Sequence, residues 1–295
     1  MTPGSKEQRV KLITDAISDI PQELLCESGI EVVPLKVNFR ERELAFPDRR
    51  EGEAYEKALD DYYDLLARAE ELPSTAQPSV ETFREAYSRA LESCDRVVSI
   101  HASEAISGTV NSARRAAEDF AGRVVVVDSR QMSVALALIT LEAARDCSAG
   151  LGASDVICRL EERAKKVRAY LTLDNLRYLM KGGRIGRARY ALGVLLGRKP
   201  ICTIRDGSVD GVAKVKGGEA QHEAILGLAA QEARRPLLAM TAFSGRATEA
   251  NALMLGEELK RRFEVAELHH ARIGQIVGTH LGPSAWGLSF LPLKD

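Results

Sequence analysis

The sequence predicts an α/β fold with two parts, an N-terminal parallel-sheet α/β domain at residues 1–166 and a smaller C-terminal α+β domain at 167–295. In the first part, short and continuously apolar runs alternate with helical patterns, which is typical of parallel strands buried on both faces. In the second part, the run at 200–216 places Asp206-Gly207 between two strand patterns and predicts a hairpin. The length of 295 residues also favours two cores over one.

The elements of the first part follow from its apolar runs and its capping residues. Residues 9–15 predict a buried strand that ends in Asp15, and a helix follows from Pro21, with Asp19 as its cap. The remaining elements predicted here are a strand at 30–39, a helix over 53–72, a loop at 73–79, a helix capped by Ser79, a strand at 97–100, a helix whose apolar face runs from Ile106 to Phe120, a strand at 124–128, and two helices between 133 and about 166.

The segment Ser107-Gly108-Thr109 lies between a buried strand and the helix that follows it. Ser107 is placed to be the helix N-cap, so that free backbone N–H groups and the positive end of the helix dipole face the space beyond the strand. Because ligands bind at the carboxyl ends of parallel strands, this segment indicates a site for a small anion, close to Asp15 and Asp128. An ordinary capped helix is the alternative interpretation.

The C-terminal part has a different order of elements. After the hairpin, helices are predicted near 218–233 and 246–263, and strands near 237–242, 265–272 and 285–291. A hairpin with helices gathered on one face of a sheet is typical of an α+β domain.

Charge and cysteine content narrow the class of protein. Lys plus Arg number 41 and Asp plus Glu number 42, so net charge by itself indicates no nucleic-acid or membrane partner. No apolar run approaches membrane-spanning length, and the N-terminal residues lack the apolar core of a signal peptide. The sequence therefore predicts a cytoplasmic protein with reduced thiols at five widely spaced cysteines, Cys26, Cys94, Cys147, Cys158 and Cys202.

The common catalytic and cofactor motifs are missing from the chain. There is no GxGxxG, GxxxxGK, GxSxG or HExxH, and the five histidines are too scattered in sequence to predict a metal site. We therefore predict neither a metal nor a cofactor. Four segments are nevertheless unusual in composition, namely the Pro-framed loop 73–79, the Ser-Gly-Thr segment 107–109, the paired-glycine turn 181–186 with its flanking cations, and the Gly/Pro-framed turn 278–283 with His280.

Together with the first strand, these segments closely resemble the DegV family over about residues 10–290. The Lys-Gly-Gly-Arg-Ile and Ser-Gly-Thr pieces are specific in combination. The pieces that carry the resemblance are, in order, Asp15 with Ser18-Asp19, Thr75-Ala76-Gln77-Pro78-Ser79, Ile106-Ser107-Gly108-Thr109 with Ser112-Ala113, Val127-Asp128-Ser129, Tyr178-Leu179-Met180-Lys181-Gly182-Gly183-Arg184-Ile185, and Gly278-Thr279-His280 with Gly282-Pro283.

The resemblance implies a bacterial protein that binds a long-chain fatty acid between two domains. Members that serve as fatty-acid kinase subunits present the carboxylate to a separate ATP-dependent kinase, which makes an acyl phosphate, so a carrier rather than an enzyme is implied. Thr75 and Ser107 would then hold the carboxylate through their hydroxyls, and His280 would lie close to the head group. The segments around these residues add Gly108, Thr109 and Thr279 to the implied carboxylate-binding set.

Three positions depart from the family pattern. Ala16, Ala76 and Leu281 stand where the family carries hydroxyl residues. We expect fewer hydrogen bonds to the head group as a result, and an unchanged tail pocket.

A basic segment at 175–205 carries eight Lys and Arg residues and no acidic one. It is either a solvated face or a docking face for an acidic partner kinase, with Lys181 and Arg184 as its docking residues. Few aromatic residues interleave with these cations, so a nucleic-acid site is the weaker interpretation. The chief rival to a carrier is a stand-alone enzyme acting on a small carboxylate or phosphorylated substrate, with His280 as general base or nucleophile.

Overall fold

Within the residues that the computed structural model describes, 9–193, 195–233 and 236–293, the strands form three separate sheets. Residues 1–8, in the segment that lacks a signal-peptide pattern, lie outside that description. The strands are, in chain order, β1 (Val10–Asp15), β2 (Glu31–Val33), β3 (Lys36–Phe39), β4 (Arg42–Leu44), β5 (Ser74–Ala76), β6 (Arg96–His101), β7 (Val124–Asp128), β8 (Arg168–Thr172), β9 (Lys199–Arg205), β10 (Ser208–Val215), β11 (Leu237–Phe243), β12 (Val265–Arg272) and β13 (Trp286–Pro292).

The helices cover both faces of the first sheet and both faces of the last. Short 3₁₀ turns precede or follow several of them, at Ala16–Ser18, Arg49–Glu51, Glu118–Phe120 and Arg246–Thr248. The α-helices of the described residues are α1 (Gln22–Ser28), α2 (Glu53–Arg68), α3 (Val80–Ser93), α4 (Thr109–Ala117), α5 (Ser133–Ser148), α6 (Ala153–Lys166), α7 (Arg177–Lys181), α8 (Ala188–Leu192), α9 (Glu219–Glu232), α10 (Glu249–Arg262) and α11 (Gln275–Leu281).

The parallel sheet has the order β2-β1-β6-β7, and every neighbouring pair in it is parallel. Residues such as Ile13 and Val98 are fully buried because α3 and α4 pack on one face and α5 and α6 on the other. This arrangement confirms the parallel α/β sheet that the continuous apolar runs predict. The strands end together at Asp15, His101 and Asp128, and this edge carries the site described below.

A small antiparallel sheet of order β4-β3-β5 lies beside the parallel sheet. The single strand predicted at 30–39 is wrong, because Pro34 has no amide hydrogen and interrupts it. The part before Pro34 becomes β2 of the parallel sheet, and the part after it becomes β3. The predicted loop at 73–79 contains β5, whose Thr75 pairs with Val37 of β3. Thr75 therefore stands on a strand rather than on a free loop.

Two predicted helix termini in the first part are also wrong. Asp19 does not cap α1: Pro21 holds the cap position, and Asp19 has a left-handed backbone conformation with φ of 49°. Its carboxylate instead accepts hydrogen bonds from Ser133 and Gly274. The helix predicted over 53–72 ends at Arg68. The Ser79 cap is confirmed, since its Oγ accepts a hydrogen bond from the backbone N–H of Thr82.

The six-stranded sheet has the order β10-β9-β8-β13-β11-β12. Its β9-β10 hairpin confirms the predicted turn: Asp206 and Gly207 have φ of 50° and 77°, as a primed turn requires. One strand and three α-helices of this part were not predicted, namely β8, α7, α8 and α11. β8 pairs between β13 and β9, and the Gly-Thr-His segment, predicted as a turn, forms the last turn of α11.

Helix α5 lies between the parallel and six-stranded sheets, with β1 on one side and β8, β11 and β13 on the other. Leu136, Ala137, Leu138 and Ile139 are all buried, so this stretch of the helix is apolar on every face, as a helix segment enclosed in a core must be. All strands of the first two sheets precede residue 129, and all strands of the third follow residue 167. We propose residue 166, where α6 ends, as the boundary between two domains.

Candidate functional site

A mostly apolar cavity of about 280 Å³ lies where the carboxyl edge of the parallel sheet meets α11. We call it the inner cavity. Thr75 and Ser107 both line it, and so do Gly108 and His280, so residues far apart in sequence converge on one space. Its apolar wall consists of Ile17, Leu35, Ile106, Met132, Leu179, Val209, Ile276 and Val277.

Thr75 and His280, which both line the cavity, form a hydrogen bond. Thr75 Oγ1 lies 2.9 Å from His280 Nε2. The other ring nitrogen, Nδ1, is buried and has no hydrogen-bond partner among the described residues. A proton on Nδ1 would therefore be an orphaned N–H, and the tautomer with the proton on Nε2 is favoured. In that tautomer His280 donates to Thr75, and the Thr75 hydroxyl is free to donate to a ligand.

His280 is a neutral imidazole at neutral pH. Burial, together with the positive charge of Arg184, lowers the pKa of His280 to about 4. The ring also packs against backbone: a Cβ built on Gly182 would lie 2.3 Å from His280 Nδ1. The ring is thus fixed in position and uncharged, which suits a group that orients the Thr75 hydroxyl.

We expect the lipid-free protein to lose stability as the pH falls from about 6.5 to about 4, because His280 takes up a proton there only in the unfolded chain. The shift corresponds to about 3 kcal/mol. Asp19, whose buried carboxyl has a pKa raised to about 6, contributes the opposite slope, since its stabilising effect is lost as the pH rises. The measurement is therefore a difference in urea unfolding free energy between wild type and His280→Gln at several pH values. A difference in unfolding free energy between the two proteins that stays constant between pH 4 and 7 would contradict the lowered pKa of His280.

Ser107 precedes α4 by two residues rather than capping it, which corrects the predicted cap. The N-cap is Gly108, whose carbonyl accepts hydrogen bonds from Asn111 and Ser112. The Ser107 Oγ instead lies 2.8 Å from Thr109 Oγ1 and accepts a bond from the Thr109 backbone N–H. The serine hydroxyl still stands at the start of the helix and faces the inner cavity, whereas Thr109 is fully buried.

Gly108 is closely approached by the Gln77 side chain. A Cβ at position 108 would lie 1.8 Å from Gln77 Oε1. The Gln77 amide nitrogen also donates to Ser112 Oγ at 2.8 Å, so the β5 segment is tied to α4. This contact connects the strand of Thr75 to the helix that follows Ser107. Gln77 lines the cavity but was not singled out from the sequence, although it lies in the same segment as Thr75.

Thr279 supports α11 through its hydroxyl. Its Oγ1 donates to the carbonyl of Gln275 at 2.6 Å and lies 2.6 Å from the hydroxyl of Tyr62. Two further tyrosine hydroxyls of α2 hold the same segment, from Tyr55 to Gln275 and from Tyr63 to the Ile273 carbonyl. Hydrogen bonds from three tyrosines of α2 thus hold the helix that carries His280 and the residue just before it.

Arg184 and Lys181 occupy different surroundings. The Arg184 guanidinium is half-buried, lines the inner cavity, and donates to the carbonyls of Ile106 and Gly182 at 3.1 and 2.7 Å. Lys181 is exposed and donates to the Glu70 carbonyl. Part of the basic segment is neutralised by acidic residues from elsewhere, since Arg187 pairs with Asp206 and Lys199 with Asp174.

A second and more polar space of about 410 Å³ lies on the outer side of Thr75, Arg184 and His280. We call it the outer cavity. These three residues line both cavities, whereas Lys181 and Thr279 line the outer cavity and not the inner one. A molecule with an apolar tail in the inner cavity would therefore bring a polar head group to the three shared residues.

The family model described as "Uncharacterised protein, DegV family" matches residues 9–293. The chain belongs to the DegV family. A DegV domain-containing protein of Deinococcus radiodurans is 34% identical, over 97% of this chain and 99% of its own length. A fatty-acid-binding DegV family protein from Thermus thermophilus is 31% identical, with a TM-score of 0.87 over 97% of this chain and 100% of that one. DegV from Bacillus subtilis, a fatty acid binding protein, is 30% identical, with a TM-score of 0.83 over 96% of this chain and 99% of its own.

The three departures from the DegV pattern lie in different places. Ala76 lines the inner cavity beside Thr75. Ala16 lines a neighbouring groove, and Leu281 lines a small apolar space behind Met132. Ala16, in the 3₁₀ turn after β1, and Leu281, at the end of α11, therefore line neither the inner nor the outer cavity.

A buried chain of polar groups in the parallel sheet has the order of a catalytic triad. Asp15 Oδ2 lies 2.8 Å from His101 Nδ1, and His101 Nε2 lies 2.6 Å from Ser99 Oγ, which also accepts from Tyr87. All three members are fully buried, and none lines the inner or outer cavity. This hydrogen-bonded network satisfies the polar groups that are buried inside the sheet, and a substrate cannot reach it. The sequence predicted Asp15 as a strand end but not this network.

Among the described residues, no group of three or more His, Cys, Asp or Glu side chains is arranged to hold a metal ion. The five cysteines are free thiols. In the same parts of the chain, every helix is too short or too polar to cross a bilayer.

Proposed function

We propose that this DegV family protein binds a long-chain fatty acid in the inner cavity and presents its carboxylate to a partner kinase. The observation that carries the proposal is the position of Thr75, Arg184 and His280, which stand between an apolar interior and a polar outer space. The relatives from Thermus thermophilus and Bacillus subtilis, which bind fatty acids, share the fold over nearly the whole chain.

The tail supplies most of the binding free energy. Burying about fourteen methylenes at roughly 0.8 kcal/mol each gives on the order of 11 kcal/mol before the entropy of binding is subtracted. Each hydrogen bond to a charged oxygen adds only about 1.5–3 kcal/mol. The wall of the inner cavity therefore determines affinity, and the polar residues determine which end of the lipid faces outwards.

Three groups hold the carboxylate in this proposal. Thr75 donates its hydroxyl proton, which the bond from His280 leaves free. Ser107 donates from the start of α4, where the positive end of the helix adds to the attraction. Arg184 contributes a full positive charge at the same boundary. Thr109 and Thr279 act one step away, since their hydroxyls bond to Ser107 and to Gln275 and Tyr62.

Transfer of phosphate to the bound carboxylate takes place from the outer cavity in this proposal. An ATP-dependent kinase supplies the phosphoryl group and docks on the basic surface around Lys181, where opposite charge speeds and orients the encounter. The protein itself is a carrier with no catalytic group. His280 serves to position Thr75, because its Nε2 proton is donated to Thr75 and its pKa of about 4 makes it a weak base at neutral pH.

The test is extraction of the purified and denatured full-length chain with organic solvent, followed by mass spectrometry. We expect about one long-chain fatty acid per chain. A purified chain that carries no lipid, and that also fails to take up a long-chain fatty acid added in excess, would overturn the proposal. A polar metabolite in its place would favour an enzyme acting on a small substrate.

A further inference from the structure

The inner cavity and a second apolar space share Met132 in their linings. This space, which we call the terminal chamber, has a volume of about 30 Å³ and is almost wholly apolar. Met132 lines both spaces and is only 9% exposed. Its side chain therefore forms part of the wall between the inner cavity and the terminal chamber.

The backbone around Met132 is held in place from both sides of the molecule. Ser133, the next residue, has a left-handed conformation with φ of 50°, which is uncommon for a residue other than glycine. Its hydroxyl donates to Asp19 Oδ2 at 2.7 Å, and Asp19 Oδ1 accepts from the Gly274 backbone N–H at 2.8 Å. The backbone position of Met132 is thus fixed by contacts of the start of α5 and of the segment before α11 with Asp19.

The far wall of the terminal chamber comes from the six-stranded sheet, and small residues of three neighbouring strands contribute to it. Ala242 pairs with Gly287, and Ser289 pairs with Ala169 across neighbouring strands. A Cβ at Gly287 would lie 2.3 Å from the Tyr170 carbonyl, so a larger residue is excluded there. The chamber is space that the sheet leaves open, and the flexible Met132 side chain forms part of the wall between it and the inner cavity.

We infer that Met132 sets the length of the acyl chain that this protein accepts. The inference rests on the proposed fatty-acid binding, with the carboxylate at Thr75 and the methyl end of the chain against Met132. Chains that reach Met132 fill the inner cavity completely. Longer acyl chains need the terminal chamber and must displace the Met132 side chain. Binding of such a chain is then weakened by the loss of the packing contacts of Met132.

The test is the distribution of chain lengths in wild type and in Met132→Ala, each saturated with an equimolar mixture of saturated fatty acids from ten to twenty carbons and analysed by mass spectrometry. Removing three side-chain heavy atoms joins the two spaces and makes room for about two to three further carbons. Because each newly buried methylene favours binding by roughly fourfold, the preferred length is expected to rise by about two carbons.

Matched variants separate this effect from a general change in packing. Met254→Ala removes the same atoms from a side chain of α10 that is 54% exposed, and it is expected to leave the distribution unchanged. Adding Ala242→Val to Met132→Ala refills the chamber from its far side and is expected to restore shorter chains. Met132→Phe, which keeps the core filled should the alanine variant unfold, is expected to shift the distribution toward shorter chains.

The outcomes distinguish the proposed fatty-acid binding from the proposed role of Met132. A wild-type protein that takes no fatty acid from the mixture overturns the proposed function. If the wild-type protein binds fatty acids but Met132→Ala and Met132→Phe bind the same distribution of chain lengths, the role of Met132 is overturned. Fatty-acid binding itself is then left intact.

Discussion

Replacing Thr75 by valine is expected to weaken binding of a long-chain fatty acid by about 10- to 100-fold without emptying the cavity. Valine keeps the shape and removes the hydroxyl that bonds His280 Nε2 at the boundary of the two cavities. The lost hydrogen bond to a charged oxygen is worth about 1.5–3 kcal/mol, whereas the tail contributes on the order of 11 kcal/mol. The lipid therefore stays bound, and its head group loses a fixed position.

Two measurements check this expectation. Displacement of a fluorescent fatty acid gives the change in affinity, and carbon-13 NMR of a carboxyl-labelled fatty acid gives the pKa of the bound carboxyl. That pKa is expected to be higher in Thr75→Val, because one donor to the charged form is lost. With a partner kinase present, acyl-phosphate formation is expected to fall at least as much as affinity does.

Thr140 offers a matched control for this substitution. Its hydroxyl is buried in α5 and has no hydrogen-bond partner in the described residues, and it lies outside both cavities. Thr140→Val therefore makes the same chemical change without touching the site, and we expect wild-type affinity and carboxyl pKa. Equal values in wild type and Thr75→Val would show that the carboxylate binds elsewhere.

The sequence predicted best those elements whose signal is contained in a few neighbouring residues. β1, β6 and β7 are continuous apolar runs, and the Asp206-Gly207 turn and the Ser79 cap are local chemistry. The predictions failed where pairing across the chain decides the structure. β5 is a strand because Thr75 pairs with Val37, and no period within three residues can indicate that.

The same distinction applies to the candidate site. The order of motifs placed Thr75, Ser107 and His280 in one family pattern, and the structure brings all three to one cavity. The inward direction of Arg184 could not be predicted, because it depends on contact with the Ile106 carbonyl, far away in sequence. A run of cations looks uniform in sequence, and only packing separates a half-buried guanidinium from exposed ones.

Replacing Arg272 by methionine is expected to lower the free energy of unfolding by about 3 kcal/mol. Arg272 lies on β12, just before α11, and its side chain is only 3% exposed. It donates to Glu56 Oε2 at 2.7 Å and to Asp60 Oδ1 at 2.5 Å, both on α2, and to the Glu56 carbonyl. These bonds attach β12 to α2, and the bonds of Tyr55 and Tyr62 attach the helix that carries His280 to the same helix of the N-terminal part.

Arg246 provides the control for this prediction, because it pairs with the same two carboxylates from a side chain that is 48% exposed. Arg246→Met removes equivalent ion pairs in high dielectric and is expected to cost less than about 1 kcal/mol. Urea unfolding of the lipid-free proteins measures both costs, with a shift in midpoint at constant slope indicating a change in stability. Similar losses of unfolding free energy in the two variants would mean that the burial of Arg272 adds nothing to the stability of the contact between β12 and α2. A larger cost for Arg272→Met, together with faster release of a bound fatty acid, would show that this attachment also keeps the inner cavity closed.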